Sequence, residues 1–242
     1  MNRGRGKGVC VIIPAYNEAK VIGSVLDSLP RYVVVRKNKV SITAVVVNDG
    51  SVDSTYNVVA RRNHVVIVDH ILNSGAGGAT RTGLRYAKDN GYDYVITMDA
   101  DGQHAVDDVI KLARAIVKDE ADFIIGSRLL KRQEGMVWYR IIGNYGLNII
   151  TFMLFGVLVT DSQSGLKAIN RQALEKMTFH SSSYAFCSEM IWMAHRSGLR
   201  LKELPIKAIY SDYSLGKGQS NWNGLPLVWE LIKRRVIGLI NG

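Results

Sequence analysis

The chain has 242 residues, 47% of them apolar and 21% charged. That length and usage suit a globular protein with a sizeable core and exclude a disordered or collagen-like one. Only two cysteines, Cys10 and Cys187, exclude a disulfide scaffold, and 31 Lys and Arg against 21 Asp and Glu leave a net charge of +10, which suits an anionic partner without choosing among nucleotide phosphates, nucleic acid and an acidic membrane face.

Met1 to Gly8 carries Arg3, Arg5 and Lys7 among glycines and reads as a basic tail. The apolar run Val9 to Pro14 is too short for a signal-peptide core and ends in a proline. Strands are expected at Val9–Ile13, Ile42–Val47, Val65–Val68, Tyr94–Met98 and Phe123–Ile125, all short, β-branched and evenly apolar, as buried parallel strands are. Helical spacing separates them. Val21, Ile22, Val25, Leu26 and Leu29 share one face of one helix, and Val109, Leu112, Ala113 and Ile116 one face of another. Strands and helices in alternation imply right-handed βαβ units and an α/β fold with a mostly parallel sheet flanked by helices.

The second half is less regular. Ile141 to Thr160 is the longest uncharged stretch. It approaches the roughly 20 residues of a spanning helix, but Gly143, Asn144, Gly146, Asn148 and Gly156 make it an interfacial or buried helix. The chain is therefore expected to stay on the cytoplasmic side. A strand follows at Gly165–Ile169, helices at Arg171–Met177 and Ser188–Arg196, and an edge strand at Leu201–Leu204 and Ile206–Tyr210, broken by Pro205. Ser211–Gly224 reads as a loop and Leu225–Ile240 as a helix, with Lys233, Arg234 and Arg235 near its end.

Ligands of open α/β sheets sit beyond the carboxyl ends of the strands. There the sequence places Pro14-Ala15-Tyr16-Asn17-Glu18, then Asn48-Asp49-Gly50-Ser51-Val52-Asp53, then Asn73-Ser74-Gly75-Ala76-Gly77-Gly78, then Asp99-Ala100-Asp101-Gly102-Gln103-His104. Two carboxylates at i and i+2, Asp99 and Asp101, can converge on one hard cation, Mg²⁺ or Mn²⁺, with a substrate diphosphate completing its shell. The alternative is a pair of solvated turn aspartates or a helix cap. Asp49 can accept a hydrogen bond from a base and Tyr16 can flank it, or the two are a turn residue and a gap-filling aromatic. Gly75, Gly77 and Gly78 would let backbone N–H groups approach a phosphate. They do not form the dinucleotide fingerprint and follow the third strand, not the first.

The series Val11-Ile12-Ile13-Pro14-Ala15-Tyr16-Asn17-Glu18, Asn48-Asp49-Gly50-Ser51-Val52-Asp53-Ser54-Thr55 and Met98-Asp99-Ala100-Asp101-Gly102-Gln103-His104 resembles the family 2 glycosyltransferases of the GT-A fold. The match continues through Gly126-Ser127-Arg128, Thr160-Asp161-Ser162-Gln163-Ser164-Gly165-Leu166-Lys167 and Glu203-Leu204-Pro205-Ile206. Within the family the chain is most similar to the dolichol-phosphate mannose synthases and related polyprenyl-phosphate sugar transferases. The resemblance implies one GT-A domain over residues 9–242, with a nucleotide-sugar half (9–128) and an acceptor half (129–242), behind a tail of residues 1–8. It implies that Pro14, Tyr16 and Glu18 bind the nucleoside and that Val47 and Asp49 contact the base. Asp99, Ala100 and Asp101 would bind metal and diphosphate, Gln103 would be a further metal ligand, Arg128 would stand near the donor, and Lys217 would contact phosphate. The chain departs from the family at Asn48, where an aspartate is usual, and in the loop from Ser211 to Gly218, which lacks the arginine that mannose synthases place shortly before the lysine.

The activity implied is metal-dependent, inverting transfer of a hexose from a nucleotide sugar, of the GDP-mannose or UDP-glucose type, to a polyprenyl phosphate. A phosphate acceptor is already anionic and needs no strong base, but it needs cations such as Arg128, Lys167 and Lys217 beside the donor diphosphate. Asp161 would position the acceptor, act as base toward a hydroxyl, or serve as a turn residue. Tyr139–Val159 suits a lipid tail, with Arg128, Lys131 and Arg132 before it and Arg140 at its start for headgroups, and Leu225–Ile240 with Trp222 and Trp229 is also amphipathic and basic. Peripheral contact with the cytoplasmic face of a membrane, directly or through a small membrane-protein partner, is therefore expected. The alternatives are a saccharide or lipid-linked glycan acceptor, a nucleotidyltransferase or NAD-dependent oxidoreductase on a similar sheet, and a non-enzymatic nucleic-acid or membrane-binding module. Without a metal the acidic cluster would repel nucleic-acid phosphates, and no nucleic-acid partner is expected.

Overall fold

A computed structural model describes residues 8–131, 138–179, 185–207 and 209. Residues 1–7 of the expected tail, Arg132, Lys217, Trp222, Trp229, the Ser211–Gly224 loop and the Leu225–Ile240 helix lie outside the described residues. In chain order the elements are β1 (Val9–Ala15), α1 (Ile22–Ser28), β2 (Tyr32–Val35), β3 (Asn38–Asp49), α2 (Thr55–Ala60), β4 (Val65–His70), α3 (Ala76–Asp89), β5 (Tyr94–Thr97), α4 (Val106–Val117), β6 (Phe123–Ser127), α5 (Trp138–Phe155), β7 (Lys167–Asn170), α6 (Arg171–Lys176), α7 (Phe186–Arg196) and β8 (Leu201–Pro205).

One sheet runs β2-β3-β1-β5-β7-β6-β8, with β4 also on β3. The β1–β3, β1–β5, β3–β4 and β6–β8 pairs are parallel, as expected, whereas β7 is antiparallel to both β5 and β6. Because β7 runs the other way, its first residue, Lys167, stands at the same end of the sheet as the last residues of β5 and β6.

The even apolarity of the strands has a direct cause: both faces of the sheet are covered. In β1, Val9, Val11 and Ile13 enter one core with Leu26, Leu112 and Ile116, while Cys10 and Ile12 enter the other with Leu84, Phe123, Ile169 and Ile191. Burial pushes the Cys10 thiol up to about 12, which makes it an inert core group. On that second face α3 lies against β1, and Gly83 permits it: a β-carbon there would come 2.3 Å from Cγ2 of Ile12.

Three sequence expectations change. The β2–β3 hairpin (Tyr32 paired with Ser41, Val35 with Asn38) was not expected, and its two-residue turn places Arg36 (φ 49°) and Lys37 (φ 67°) in the left-handed region. Such a turn ordinarily announces itself by Asn-Gly or Asp-Gly, and here it does not. Pro205 is the last residue of an edge strand, paired with Ser127, and the described residues after it, Ile206, Lys207 and Ile209, carry no strand; Ala208 and Tyr210 of the expected strand lie outside the described residues. The Gly165–Ile169 strand is shifted to Lys167–Asn170.

Candidate functional site

The carboxyl ends of β1, β3, β4, β5 and β6 and the start of β7 converge on one edge of the sheet. The first two loops are zipped together there. Asn17, at φ 55°, accepts from the backbone N–H groups of Val52 (2.9 Å) and Asp53 (3.4 Å), and its own N–H donates to Ser51 Oγ (3.1 Å). The Glu18 N–H donates to Thr55 Oγ1 (2.8 Å), and the Ala19 N–H to Asp53 Oδ2 (3.2 Å). The Asn-Glu and Gly-Ser-Val-Asp-Ser-Thr strings are thus one latch. It leaves Tyr16 46% exposed at the rim, with Pro14 half-buried and Glu18 buried behind it. The Val47 side chain lies in the core.

Asp49 is buried, and its described hydrogen bonds converge on Oδ1, from the Ser74 N–H (2.9 Å), Ser74 Oγ (2.7 Å) and His70 Nδ1 (2.7 Å). The other ring nitrogen of His70 meets Thr82 Oγ1 at 3.0 Å. Neither His70 nor Ser74 stood out in the sequence as a partner of Asp49, although His70 lies opposite it in the β3–β4 register. Asn48, the departure from the family, donates to Asp69 Oδ1 at 2.6 Å across the same pair of strands. A carboxylate at position 48 would face a second one, so the amide fits its neighbour. Of the expected phosphate-loop glycines, Gly77 and Gly78 are buried in the first turn of α3, behind Gly75 at φ 82°.

The acidic pair follows β5. Asp99 is half-exposed in the cleft and accepts from His104 Nε2 at 3.0 Å. Enclosure opposes its charge, but the hydrogen bond from His104 and the positive charges of Arg128 and Lys167 prevail and hold its carboxyl below the usual value. Asp101 moves the other way: burial and the Asp99 charge raise it, although the Gln103 N–H lowers it. Gln103 grips Asp101 twice, from N to Oδ1 (2.9 Å) and from Nε2 to Oδ2 (2.7 Å). Ala100 is buried between the two. Gly165, whose importance the sequence did not disclose, lies directly against Asp99: a β-carbon there would fall 2.2–2.6 Å from all three carboxylate atoms.

Two hard carboxylates on one turn suit Mg²⁺ or Mn²⁺, and the unfilled space at Gly165 is what lets Asp99 lie as it does. Among the described residues no group of three or more His, Cys, Asp or Glu side chains could hold a metal by itself. Asp99, Asp101 and the amide oxygen of Gln103 are the groups that would hold it.

The basic side of the cleft differs from expectation. Asp161 is fully buried and accepts from the Arg128 backbone N–H (3.0 Å), Nε (2.7 Å) and Nη2 (2.8 Å). With both oxygens gripped by one guanidinium, Asp161 does not fit the expected role of base or acceptor ligand. It holds Arg128 in a bidentate pair. Lys167 is also buried, with Nζ donating to the Ser164 carbonyl, so it acts as a fixed charge beside Asp99 and not as a hand reaching for substrate. Around Asp161, Glu203 accepts from the Thr160 N–H (2.9 Å) and Oγ1 (2.8 Å), and Ser127 Oγ meets Thr160 Oγ1 at 2.6 Å. The Ile209 N–H donates to the Gln103 carbonyl at 3.1 Å.

The family model for glycosyl transferase family 2 matches residues 10–178. Over 246 aligned residues the chain is 37% identical to the UDP-N-acetylglucosamine–dolichyl-phosphate N-acetylglucosaminyltransferase of Methanococcus voltae, covering 93% of this chain and 95% of that one. It is 30% identical to the polyprenol monophosphomannose synthase of Mycolicibacterium smegmatis, over 85% and 78% of the two chains. The fold matches glucosyl-3-phosphoglycerate synthase from Mycobacterium tuberculosis, in complex with Mn²⁺ and UDP-glucose, with a TM-score of 0.64 at 20% identity over 94% of this chain and 77% of that one. With the Asp99–Asp101 turn, the latched first loops and the parallel-rich sheet in place, this chain belongs to glycosyl transferase family 2 and is a glycosyltransferase.

Proposed function

We propose that the protein transfers a hexose, with inversion, from a nucleoside-diphosphate sugar to a polyprenyl phosphate at the cytoplasmic face of a membrane. The observation that carries the choice of acceptor is the Asp161–Arg128 pair: the carboxylate that could act as base toward a hydroxyl is buried and engaged. A hydroxyl acceptor needs a base, and a phosphate monoester does not. The acceptor phosphate oxygen forms a bond to the anomeric carbon while the bond from that carbon to the β-phosphate oxygen breaks, and the nucleoside diphosphate leaves with the electron pair. A divalent cation held by Asp99, Asp101 and Gln103 would supply charge stabilisation for the diphosphate. Arg128, fixed by Asp161, and Lys217 would offset the repulsion between two phosphate groups. The relatives that act on dolichyl or polyprenyl phosphates support this acceptor class.

The donor base would sit between Tyr16 and Asp49. Three donors already use Oδ1 of Asp49, which leaves Oδ2 for a single base N–H. Uracil presents one such donor on that edge, whereas guanine presents two adjacent ones that call for both oxygens. A uridine donor is the better fit. Calorimetry of UDP and GDP with Mn²⁺ or with chelator, followed by turnover on polyprenyl phosphate and on the free polyprenol, tests the reading. Metal-dependent binding, tighter for UDP, and turnover confined to the phosphate are expected. Equal turnover on free alcohols or soluble saccharides would overturn the acceptor assignment.

The outer face of α5 exposes Ile142, Tyr145, Ile149, Phe152 and Met153, a stripe at helical spacing. No helix among the described residues is long and apolar enough to cross a membrane. This face is suited to lie on the lipid surface that carries the acceptor.

A further inference from the structure

Helix α5 is apolar along most of its length but holds one buried amide, Asn148. Its Nδ2 donates to the Thr160 carbonyl at 2.5 Å, and its Oδ1 accepts from the Ser162 N–H at 2.8 Å. Those are the two neighbours of Asp161. Both ends of one side chain therefore clasp the backbone on either side of the carboxylate that holds Arg128 through three hydrogen bonds. The loop is also gripped from the sheet side by Glu203 and Ser127, so Asn148 is its tie to the helix. One turn along α5, Thr151 Oγ1 meets Ser188 Oγ at 3.3 Å, and Gln163 Nε2 reaches the same hydroxyl at 2.8 Å. This contact adds a second, weaker link between the helix and the loop.

We propose that Asn148 is a positioning residue that sets the Arg128 guanidinium for the acceptor phosphate by fixing the Thr160–Ser162 loop to α5. A buried amide in an apolar helix face is costly unless both of its polar ends are paired, and here both are spent on one loop. The helix that exposes the apolar stripe is thereby joined to the cation of the site through two side chains, Asn148 and Asp161. The inference rests on the polyprenyl-phosphate reading, and the experiment separates the two.

The test is a double-mutant cycle between Asn148→Leu and Arg128→Ala, read as KM and kcat with polyprenyl phosphate, alongside nucleotide affinity with Mn²⁺ by calorimetry and thermal melting. In the wild-type background Asn148→Leu is expected to raise the acceptor KM by about ten-fold, the scale of a lost pair of buried hydrogen bonds. Nucleotide affinity should stay within about two-fold of wild type. In the Arg128→Ala background the same substitution should change KM little, because the residue it acts through is gone. Additive losses in the cycle, an unchanged acceptor KM, or an equal loss of nucleotide affinity would overturn the role. If Asn148→Leu does not fold, Asn148→Ala, which removes both hydrogen bonds while adding neither bulk nor charge and favours the helix, carries the same cycle. A wild-type enzyme inactive on polyprenyl phosphate would strike the acceptor assignment itself and this inference with it, whereas an active wild type with an additive cycle strikes Asn148 alone.

Discussion

Gly165 lies so close to Asp99 that a β-carbon on it would stand 2.2 Å from Oδ2 and 2.6 Å from Oδ1. Gly165, two residues before β7, thus shapes the carboxylate after β5, through a strand pair in which Thr97 and Lys167 are opposite each other and Thr97 Oγ1 donates to the Gly165 carbonyl at 2.8 Å. Gly165→Ala should leave the sheet intact and turn the Asp99 carboxylate away from its place. Metal-dependent nucleotide affinity should fall by about ten-fold or more, the scale of a displaced charged ligand, while the melting temperature changes by only a few degrees. Wild-type affinity in Gly165→Ala, measured by calorimetry with Mn²⁺, would remove this packing from the account of the site.

The Asn48–Asp69 contact gives a second expectation. Asn48→Asp would bring two carboxylates to the 2.6 Å now spanned by an N–H···O bond, in a strand pair where Asn48 is buried. The expected loss is about 1–3 kcal/mol at neutral pH, the cost of replacing a buried hydrogen bond by like-charge repulsion. The loss should shrink as acid protonates one of the two groups. Urea denaturation at pH 7 and pH 4 measures it, and equal stability of the two proteins at pH 7 would contradict the role assigned to the amide.

Much of the site was legible because its chemistry is written locally. Asp99-Ala100-Asp101-Gly102-Gln103 and Asp49 announce oxygen groups at strand ends, which the structure brings to one edge of the sheet, and flat apolar runs such as Val9–Ile13 announce strands covered on both faces. What was not legible depends on partners far away in sequence. Asp161 reads as a free carboxylate until Arg128, 33 residues away, is seen to occupy both of its oxygens. Lys167 reads as a cation available to the donor diphosphate until β7 is seen to insert antiparallel between β5 and β6 and bury it. Asn148 counted only as polar content arguing against a membrane span, and its bonds to Thr160 and Ser162 exist only once α5 is packed. The β2–β3 hairpin was missed because Arg36 and Lys37 take a conformation that their residue types do not advertise.

Asp122 supplies a pH-dependent stability term away from the cleft. It is buried, accepts from the Arg200 N–H (2.9 Å), Nε (3.1 Å) and Nη2 (2.9 Å), and from Asn170 Nδ2 (2.8 Å). The Arg200 hydrogen bonds, against the opposing cost of burial, hold its carboxyl at about 2. A depressed carboxyl stabilises the fold fully above its unfolded value of about 3.9, and the contribution is lost as the pH falls through the folded value. Because Arg200 is half-exposed, solvent screening reduces the contribution to about 1–2 kcal/mol. Asp122→Asn should be less stable than wild type by that amount at pH 7, with the gap closing between about pH 4 and pH 2. A gap independent of pH would assign the effect to packing alone.

The exposed face of α5 makes the last expectation. Ile149 and Met153 are 59% and 76% exposed and one turn apart, and they hold no part of the Asn148–Thr160 contact on the buried side. Ile149→Ser with Met153→Ser removes apolar surface from that face without touching the core. On anionic vesicles the wild-type protein, with its net charge of +10, should sediment at low salt and be released as salt rises, since each Lys or Arg near such a surface contributes about 1 kcal/mol and salt screens it. The double variant should need lower salt for release and should lose turnover with polyprenyl phosphate presented in vesicles. With a short-chain, water-soluble polyprenyl phosphate it should retain turnover, because Arg128 and the acidic turn are untouched. Equal loss on both acceptors would mean that the substitutions reach the site through the helix itself. Unchanged vesicle binding would place the membrane contact elsewhere on the chain.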